Sequence, residues 1–268
     1  MVRAIRPAVE NLGHQWSVID WEAPIEHFTG IDLVVLGTCW NYQDKEEAFL
    51  AKLEALQNAG VAVCNSPDVV RWNICKTYLQ ELEKTGASTV PTLWLDTAST
   101  DDVQNAFAQF ECDTIVAKRQ IGAGAEGQSI LHLGSVPHDW RMDRPAMLQP
   151  FLPAIQAEGE FSFIFIDGEF SHALIKRAAQ ADYRIQSLYG GTEEMIMPAP
   201  GDLVSAASII SNLPFAPPLY ARIDMVRRDN KLLLMEAEMI EPYLYPVEGP
   251  DLGARMAKAI DRRLNIHE

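Results

Sequence analysis

Residues 219–238 constrain the chain most. They read as a hairpin: an apolar run over 219–226, a turn near Asp229-Asn230, and a second apolar run from Leu232. Charges interrupt this pattern at Arg222, Asp224, Glu236 and Glu238. Alternation along a strand puts residues i and i+2 on one face, so Arg222 shares a face with Asp224, and Glu236 with Glu238. The run Leu232-Leu-Leu-Met235 marks the second strand as buried, and buried acids need partners. A loop of odd length, such as 229–231, sets Asp224 opposite Glu236 and brings all four side chains together, whereas a two-residue loop puts the two pairs on opposite faces. Three carboxylates beside an arginine suit magnesium, a hard cation that takes carboxylate and phosphate oxygens. The plain alternative is a half-exposed hairpin with solvated charges.

The rest of the chain changes character along its length. Residues 16–20, 31–37 and 61–64 are apolar runs of strand length, and 45–58 has helical spacing with Gly60 as its stop. Asn73 can cap a helix through Leu82, which Gly86 closes. Strand, helix and strand in this order imply a small parallel layer. Such a layer normally opens on a buried strand, yet this chain opens on a helical pattern; either the first strand has been lost or truncated, the preferred expectation, or Trp16–Asp20 takes its place. A second unit follows: a strand over 91–95, a helix over 101–110 capped by Ser99 or Thr100, and strands over 114–118 and 128–133 flanking a glycine-rich stretch. A hairpin over 160–176 then turns at Asp167-Gly168, and an amphipathic helix over 252–264 closes the chain. The class is α/β, with an α+β C-terminal half. The expected subdomains are 1–88, 89–149 and 150–268.

Composition excludes several functions. The 268 residues carry a net charge of −15, which repels phosphate backbones and anionic membranes. The four cysteines have no metal-knuckle or redox spacing, and no two histidines stand at i, i+4. No apolar run approaches the roughly 20 residues of a membrane helix, and residues 1–7 lack the apolar stretch of a signal peptide. These features predict a soluble, cytoplasmic protein that acts on small molecules, with no nucleic acid and no membrane. A homo-oligomer is left open.

Gly122, Gly124 and Gly127 fit G-x-G-x-x-G. A dinucleotide site needs a strand before that motif and a helix after it, but here a strand pattern follows. The loop therefore reads as a flap between two strands, whose N–H groups can wrap phosphates; an ordinary glycine-rich hairpin loop is the alternative. Lys118 ends the strand before the flap, and Lys76 lies in the expected first turn of its helix, where a cation is disfavoured unless an anion is bound. Lys176-Arg177, Arg184 and Gly190-Gly191 add a basic, flexible segment in an acidic chain.

Taken in order, these features resemble the ATP-grasp superfamily: a helix lysine, a strand lysine, a glycine flap, the hinge Leu148-Gln149-Pro150-Phe151-Leu152, an R-x-D strand and an E-x-E strand. The second half is most similar to the glutathione synthetase type, and also to the small cycloserine-forming ligases and their uncharacterised relatives. Its strings are 149–155, 167–177, 182–186 with Gly190-Gly191, and Tyr220-Ala-Arg-Ile-Asp224; the resemblance spans about residues 60–265. It implies an ADP-forming ligase of EC 6.3 type that joins a small carboxylate to an amine or similar nucleophile through an acyl phosphate. It further implies that Lys76 and Lys118 hold the α- and β-phosphates of ATP, that the flap covers them, that Gln149 and the backbone near Phe151 and Leu152 read adenine, and that Glu160 takes the ribose hydroxyls. Asp224, Glu236 and Glu238 would carry two magnesium ions, with manganese as an alternative. Arg222 would steady the transferring phosphoryl group, and Lys176 and Arg184 would face the γ-phosphate or the substrate carboxylate. The family's third metal ligand is often asparagine, where this chain has Glu238. The segment matching 37–42 commonly carries an arginine and an aspartate, where this chain has Gly37 and Asn41. Two other readings stand beside this one: an ATP-binding protein without ligase activity, and a nicotinamide-dependent Rossmann enzyme.

Overall fold

The structure, a computed structural model, describes residues 1–122, 127–178 and 191–265. Its first elements are short. They are α1 (Val2–Glu10), β1 (Leu33–Val35), α2 (Glu46–Asn58), β2 (Ala62–Cys64), α3 (Pro67–Asn73) and α4 (Tyr78–Lys84). β1 and β2 are parallel, as the alternation predicts. α2 buries Phe49, Leu53 and Leu56 against them. Residues 16–20 join no ladder, contrary to expectation, and Val18 is left exposed. An apolar run of strand length is not a strand without a partner edge.

The helix expected from Asn73 to Leu82 is divided in two. Asn73 does not cap it: its side-chain Nδ2 donates to the Ala237 carbonyl at 2.7 Å, and its Oδ1 accepts the Met239 N–H at 2.8 Å. The chain breaks so that these bonds to a distant strand can form. Lys76 consequently lies between α3 and α4 rather than in a helical turn.

The middle unit contains β3 (Leu93–Leu95), β4 (Ala98–Ser99), α5 (Thr100–Phe110), β5 (Thr114–Arg119), β6 (Ser129–His132), β7 (Arg141–Met142) and β8 (Ala146–Pro150). Ser99 and Asp102 form a capping box at the start of α5. Four strands make an antiparallel sheet in the order β3-β8-β5-β6. The glycine-rich stretch joins β5 to β6, whose residues Ala117 and Ser129 pair. The helix that a dinucleotide fingerprint needs is therefore replaced by a strand.

The last part holds α6 (Ala154–Ala157), β9 (Glu160–Ile166), β10 (Glu169–Arg177), β11 (Thr192–Ile196), α7 (Pro200–Ser211), β12 (Tyr220–Arg228), β13 (Lys231–Glu238) and α8 (Leu252–Asn265). Five strands form an antiparallel sheet in the order β11-β10-β9-β12-β13. One face, with Phe163, Phe165, Ile223 and Ala237, packs on α7 and α4. The other, with Ile164, Leu174 and Tyr220, packs on α8 and α1. α1 and α8 approach closely at Gly253, where a Cβ would collide with the Ala4 carbonyl.

The β12–β13 turn has two residues, Asp229 and Asn230, both with positive φ, and Arg228 pairs with Lys231. An odd loop does not occur. A bulge supplies the odd count instead: Met225 pairs with Leu234, but Asp224 pairs with Glu236, so Met235 is the extra residue. The register that places Asp224 across from Glu236 is thus set by the bulge.

Candidate functional site

Beyond the bulge, one end of the sheet's second face carries charges in place of apolar side chains. Arg222 pairs with Glu238 across the ladder, Asp224 lies between Ser162 and Glu236, and Lys176 pairs with Glu160. Their side chains meet as well. Lys176 Nζ contacts Glu160 Oε1 and lies 3.2 Å from Asp224 Oδ1. Arg222 Nε donates to Asp224 Oδ2 at 2.9 Å, and Nη2 donates to Glu238. Ser162 Oγ donates to Asp224. The Tyr245 ring closes the cluster, with Lys176 Nζ and the Arg222 guanidinium 5.9 and 5.8 Å from its centroid. Asp224 is 3% exposed and Lys176 5%.

Two lysines from other layers reach this face. The Tyr78 hydroxyl accepts the Ala237 N–H at 3.0 Å and, with Asn73, ties the 73–78 segment to β13. Lys76 is thereby set beside Glu236, 2.8 Å from Oε1, and it also donates to the Gly122 carbonyl at 2.7 Å where the flap begins. The ammonium of Lys118, on β5, makes no hydrogen bond or ion pair among the described residues. Burial pulls its pKa down, and the charges of Glu236 and Glu160 only partly restore it. The Lys118 ammonium is thus half-buried beside acids, with no partner of its own among the described residues.

The acids divide electrostatically. Burial works against ionisation of Asp224, yet Arg222 and Lys176 outweigh it and hold the carboxyl below its ordinary range. Burial pushes Glu238 up to about 7, with Arg222 opposing and Glu236 and Asp224 adding to the rise. Burial likewise raises Glu160. Mutual repulsion among the carboxylates is therefore secondary to burial.

The acids do not close around one point. Among the described residues no three carboxylate, imidazole or thiolate groups could together hold a metal ion, because Arg222 sits between Asp224 and Glu238 and Lys76 occupies Glu236. The donor set still fits magnesium, which is usually held by one or two carboxylates completed by phosphate oxygens and water rather than by an all-protein cage.

The remaining expected site residues are placed as follows. Gln149 is buried in β8, and its Nε2 donates to Thr92 Oγ1 at 2.8 Å. The Phe151 N–H donates to the Thr114 carbonyl at 2.9 Å, and Leu152 is buried at the same bend. Gly122 and Gly127 bound the flap, Gly127 with φ +67°. Glu160 belongs to the charge cluster, where Lys176 holds it. Gly124 and Arg184 lie outside the described residues, as does the 182–186 string with Gly190.

Sequence reading missed Ser162, Tyr245, Tyr42 and Glu241. Ser162 had a usable signal, since it stands two residues from Glu160 on a strand. Glu241 stands just past β13, half-buried, and burial raises it to about 7 while the Cys39 amide partly offsets this. Tyr245 and Tyr42 had none: Tyr245 lies outside any helix or strand, and Tyr42 opens a 3-10 turn of three residues, too short to show a period.

Residues 2–65 match the family described as D-cycloserine synthetase DcsG, N-terminal domain. The cycloserine biosynthesis protein DcsG of Streptomyces lavendulae is 26% identical over 280 residues, covering 96% of this chain and 91% of that protein. The crystal structure of D-cycloserine synthetase DcsG superposes with a TM-score of 0.84 at 22% identity, over 98% of this chain and 94% of that one. The ATP-grasp ligase PsnB, complexed with a phosphomimetic variant of its minimal precursor, Mg and ADP, superposes with a TM-score of 0.68 at 17% identity, over 98% and 94%. D-alanine–D-alanine ligase from Bacillus anthracis, complexed with ATP, gives 0.60 at 17% identity, over 91% and 84%. The chain has the fold of the ATP-grasp ligases, and it is similar along 96% of its length to the cycloserine biosynthesis protein DcsG.

Proposed function

We propose that the protein is an ATP-dependent, ADP-forming ligase of EC 6.3 type, acting in the cytoplasm, that joins a small carboxylate to an amine or similar nucleophile. The observation that carries this reading is the meeting of three layers at one charged face: Lys76 from the N-terminal layer, Lys118 from the middle sheet, and the Arg222–Asp224–Glu236–Glu238 hairpin. The ligases named above share the fold, which supports the same conclusion.

The reaction has two balanced steps. A substrate carboxylate oxygen attacks the γ-phosphorus, and the bond to ADP breaks with its electron pair going to ADP. The amine nitrogen then attacks the acyl-phosphate carbon, losing a proton, and inorganic phosphate leaves. In this reading Lys118 and Lys76 bind the α- and β-phosphates, and Lys76 gives up Glu236 to do so. Residues 122–127 cover the phosphates, and the 149–152 bend borders the adenine. Arg222 stabilises negative charge as it develops on the transferring group. Lys176 is fixed between Glu160 and Asp224, where it offsets their charge. Arg184 would act on the γ-phosphate or the substrate carboxylate, and Glu160 would reach a ribose only by leaving Lys176. Asp224, Glu236 and Glu238 would hold magnesium, two ions with manganese as a substitute, and the metal would supply charge neutralisation at the phosphates.

The test is ADP and phosphate release over a panel of amino acids with ATP and magnesium. The expected result is equimolar ADP and phosphate that depend on an added carboxylate and amine. Binding of ATP without any turnover would leave an ATP-binding protein that lacks ligase activity.

A further inference from the structure

His172 is a buried titratable group that the reaction described above does not use. It lies on β10 and is 7% exposed. A bulge falls between Phe170 and His172, with Ser171 as the extra residue. Phe170 therefore pairs with Phe165 and packs on the α7 face of the sheet, whereas His172 pairs with Ile164 on the α8 face. Alternation then puts His172, Leu174 and Lys176 on one side of β10, so His172 stands on the same face as the charge cluster.

The imidazole grips the chain that leads from β13 to α8. Nε2 donates to the Leu244 carbonyl at 3.0 Å, and Nδ1 accepts the Ser171 hydroxyl at 3.0 Å. A carbonyl can only accept, which fixes the proton on Nε2. Burial pulls the His172 pKa down, the Leu244 and Tyr245 carbonyls partly offset this, and Arg255 on α8 adds to the fall. The ring is therefore neutral at pH 7. Gly249 lies against it, where a Cβ would collide with the imidazole. Three successive carbonyls of this chain are thus held: Tyr243 accepts from Arg222 Nη1 at 3.1 Å, Leu244 from His172, and Tyr245 from the Gly249 N–H at 3.0 Å. Tyr245 has φ +48°, a left-handed conformation that a tyrosine rarely adopts. Such a conformation persists only where its surroundings hold it, and it is found most at functional sites. In it, the Tyr245 ring faces Lys176 and Arg222.

We propose that His172 is a positioning residue for Arg222: by clamping residues 243–249, it holds the Tyr243 carbonyl and the Tyr245 ring against the guanidinium. The inference rests on the ligase reading for what Arg222 then does, which is to meet charge on the transferring phosphoryl group. The other partners of Arg222 are Asp224 and Glu238, the acids that the same reading gives to magnesium. The Tyr243 carbonyl is therefore the partner for which metal binding does not compete, and His172 sets where it stands.

The test compares wild type, His172→Phe, His172→Gln and Gly249→Ala in two measurements. The first is hydrogen exchange at the Arg222 Nε–H, followed by nitrogen-15 NMR without ligand. The second is KM for ATP and kcat for ADP release with magnesium and the amino-acid panel. His172→Phe keeps a ring and loses the donor, and Gly249→Ala drives the ring off. Both should speed Arg222 exchange about tenfold, the worth of one hydrogen bond, while the amides of β9 and β12 stay protected. Both should lower kcat by a similar factor and leave KM for ATP unchanged, because the clamp acts on a group that works in the transition state. His172→Gln can still donate to the Leu244 carbonyl and should restore most of both. Unaltered Arg222 exchange in both His172→Phe and Gly249→Ala overturns the inference. So does exchange that speeds equally across β9 and β12, or, where the wild type turns over, an unchanged kcat. The expected exchange pattern in a protein whose wild type releases no ADP supports the clamp and overturns the ligase reading, a separate and distinguishable result.

Discussion

The C-terminal sheet and the N-terminal layer are held together in different ways. β9, β10, β12 and β13 are long, paired along most of their length with one bulge in each hairpin, and carry a graded face: apolar at one end, charged at the other. β1 and β2 are three residues each, too short to hold their own position. Side chains position that layer instead. Asn65 donates to the Tyr220 and Met239 carbonyls at 2.9 and 2.7 Å and accepts the Leu219 N–H at 2.7 Å. Asn73, Tyr78 and Tyr220 add further bonds to the same two strands. The sheet is thus specified by periodicity and the layer by single polar anchors, and the site forms where the anchors dock the layer on the sheet.

The largest effect should come from the sheet. Asp224→Ala leaves Lys176 and Arg222 buried with one partner fewer each, and removal of one member of a buried charge group costs about 3–5 kcal/mol. Urea unfolding should show it as a fall in midpoint at unchanged slope. A loss below about 1 kcal/mol would mean that the cluster behaves as a solvated surface group.

Asn65→Ala should cost somewhat less, about 3 kcal/mol, since it strands three buried backbone groups. It should also weaken ATP binding although Asn65 touches none of the residues proposed to bind phosphate, because Lys76 depends on the same docking. Full stability with full affinity would show that the layer is placed by its apolar contacts alone.

These anchors explain which parts of the molecule were legible in the sequence. The hairpins at 160–176 and 219–238 and the β5–flap–β6 unit follow from alternation, and their charged residues stand out against it. The register of Asp224 with Glu236 was reachable only through an odd loop, because a bulge at Met235 leaves no mark in an apolar run. The helix break at 73–78 was hidden for a related reason: Asn73 suits a cap by residue type, and its real partners lie at Ala237 and Met239. A local pattern cannot report a bond to a residue more than 160 positions away.

The smallest effect belongs to Glu241, which accepts the Cys39 amide just past the end of β13. Burial raises Glu241 to about 7 from an ordinary 4.5. The folded state therefore binds more protons than the unfolded one between these values, and stability falls as pH rises through that window. Glu241→Gln should remove this loss. It should be more stable than wild type at pH 8 by up to about 1 kcal/mol, allowing for solvent screening, with the difference vanishing below about pH 4.5. An unchanged pH profile would mean that Glu241 is already solvated.

The central claim is that Lys76, Lys118 and the β12–β13 acids form one site for a nucleotide triphosphate with magnesium. The most direct measurement is the melting shift of wild type, Lys118→Met and Glu236→Gln with ATP, with and without magnesium, and with NADH as control. ATP with magnesium at 100 times Kd should stabilise the wild type by about 2.7 kcal/mol, and NADH should not stabilise it. Lys118→Met should fold as stably as wild type and lose most of the shift, and Glu236→Gln should lose the magnesium-dependent part. Equal shifts with NADH, or a full ATP shift in Lys118→Met, would contradict the account.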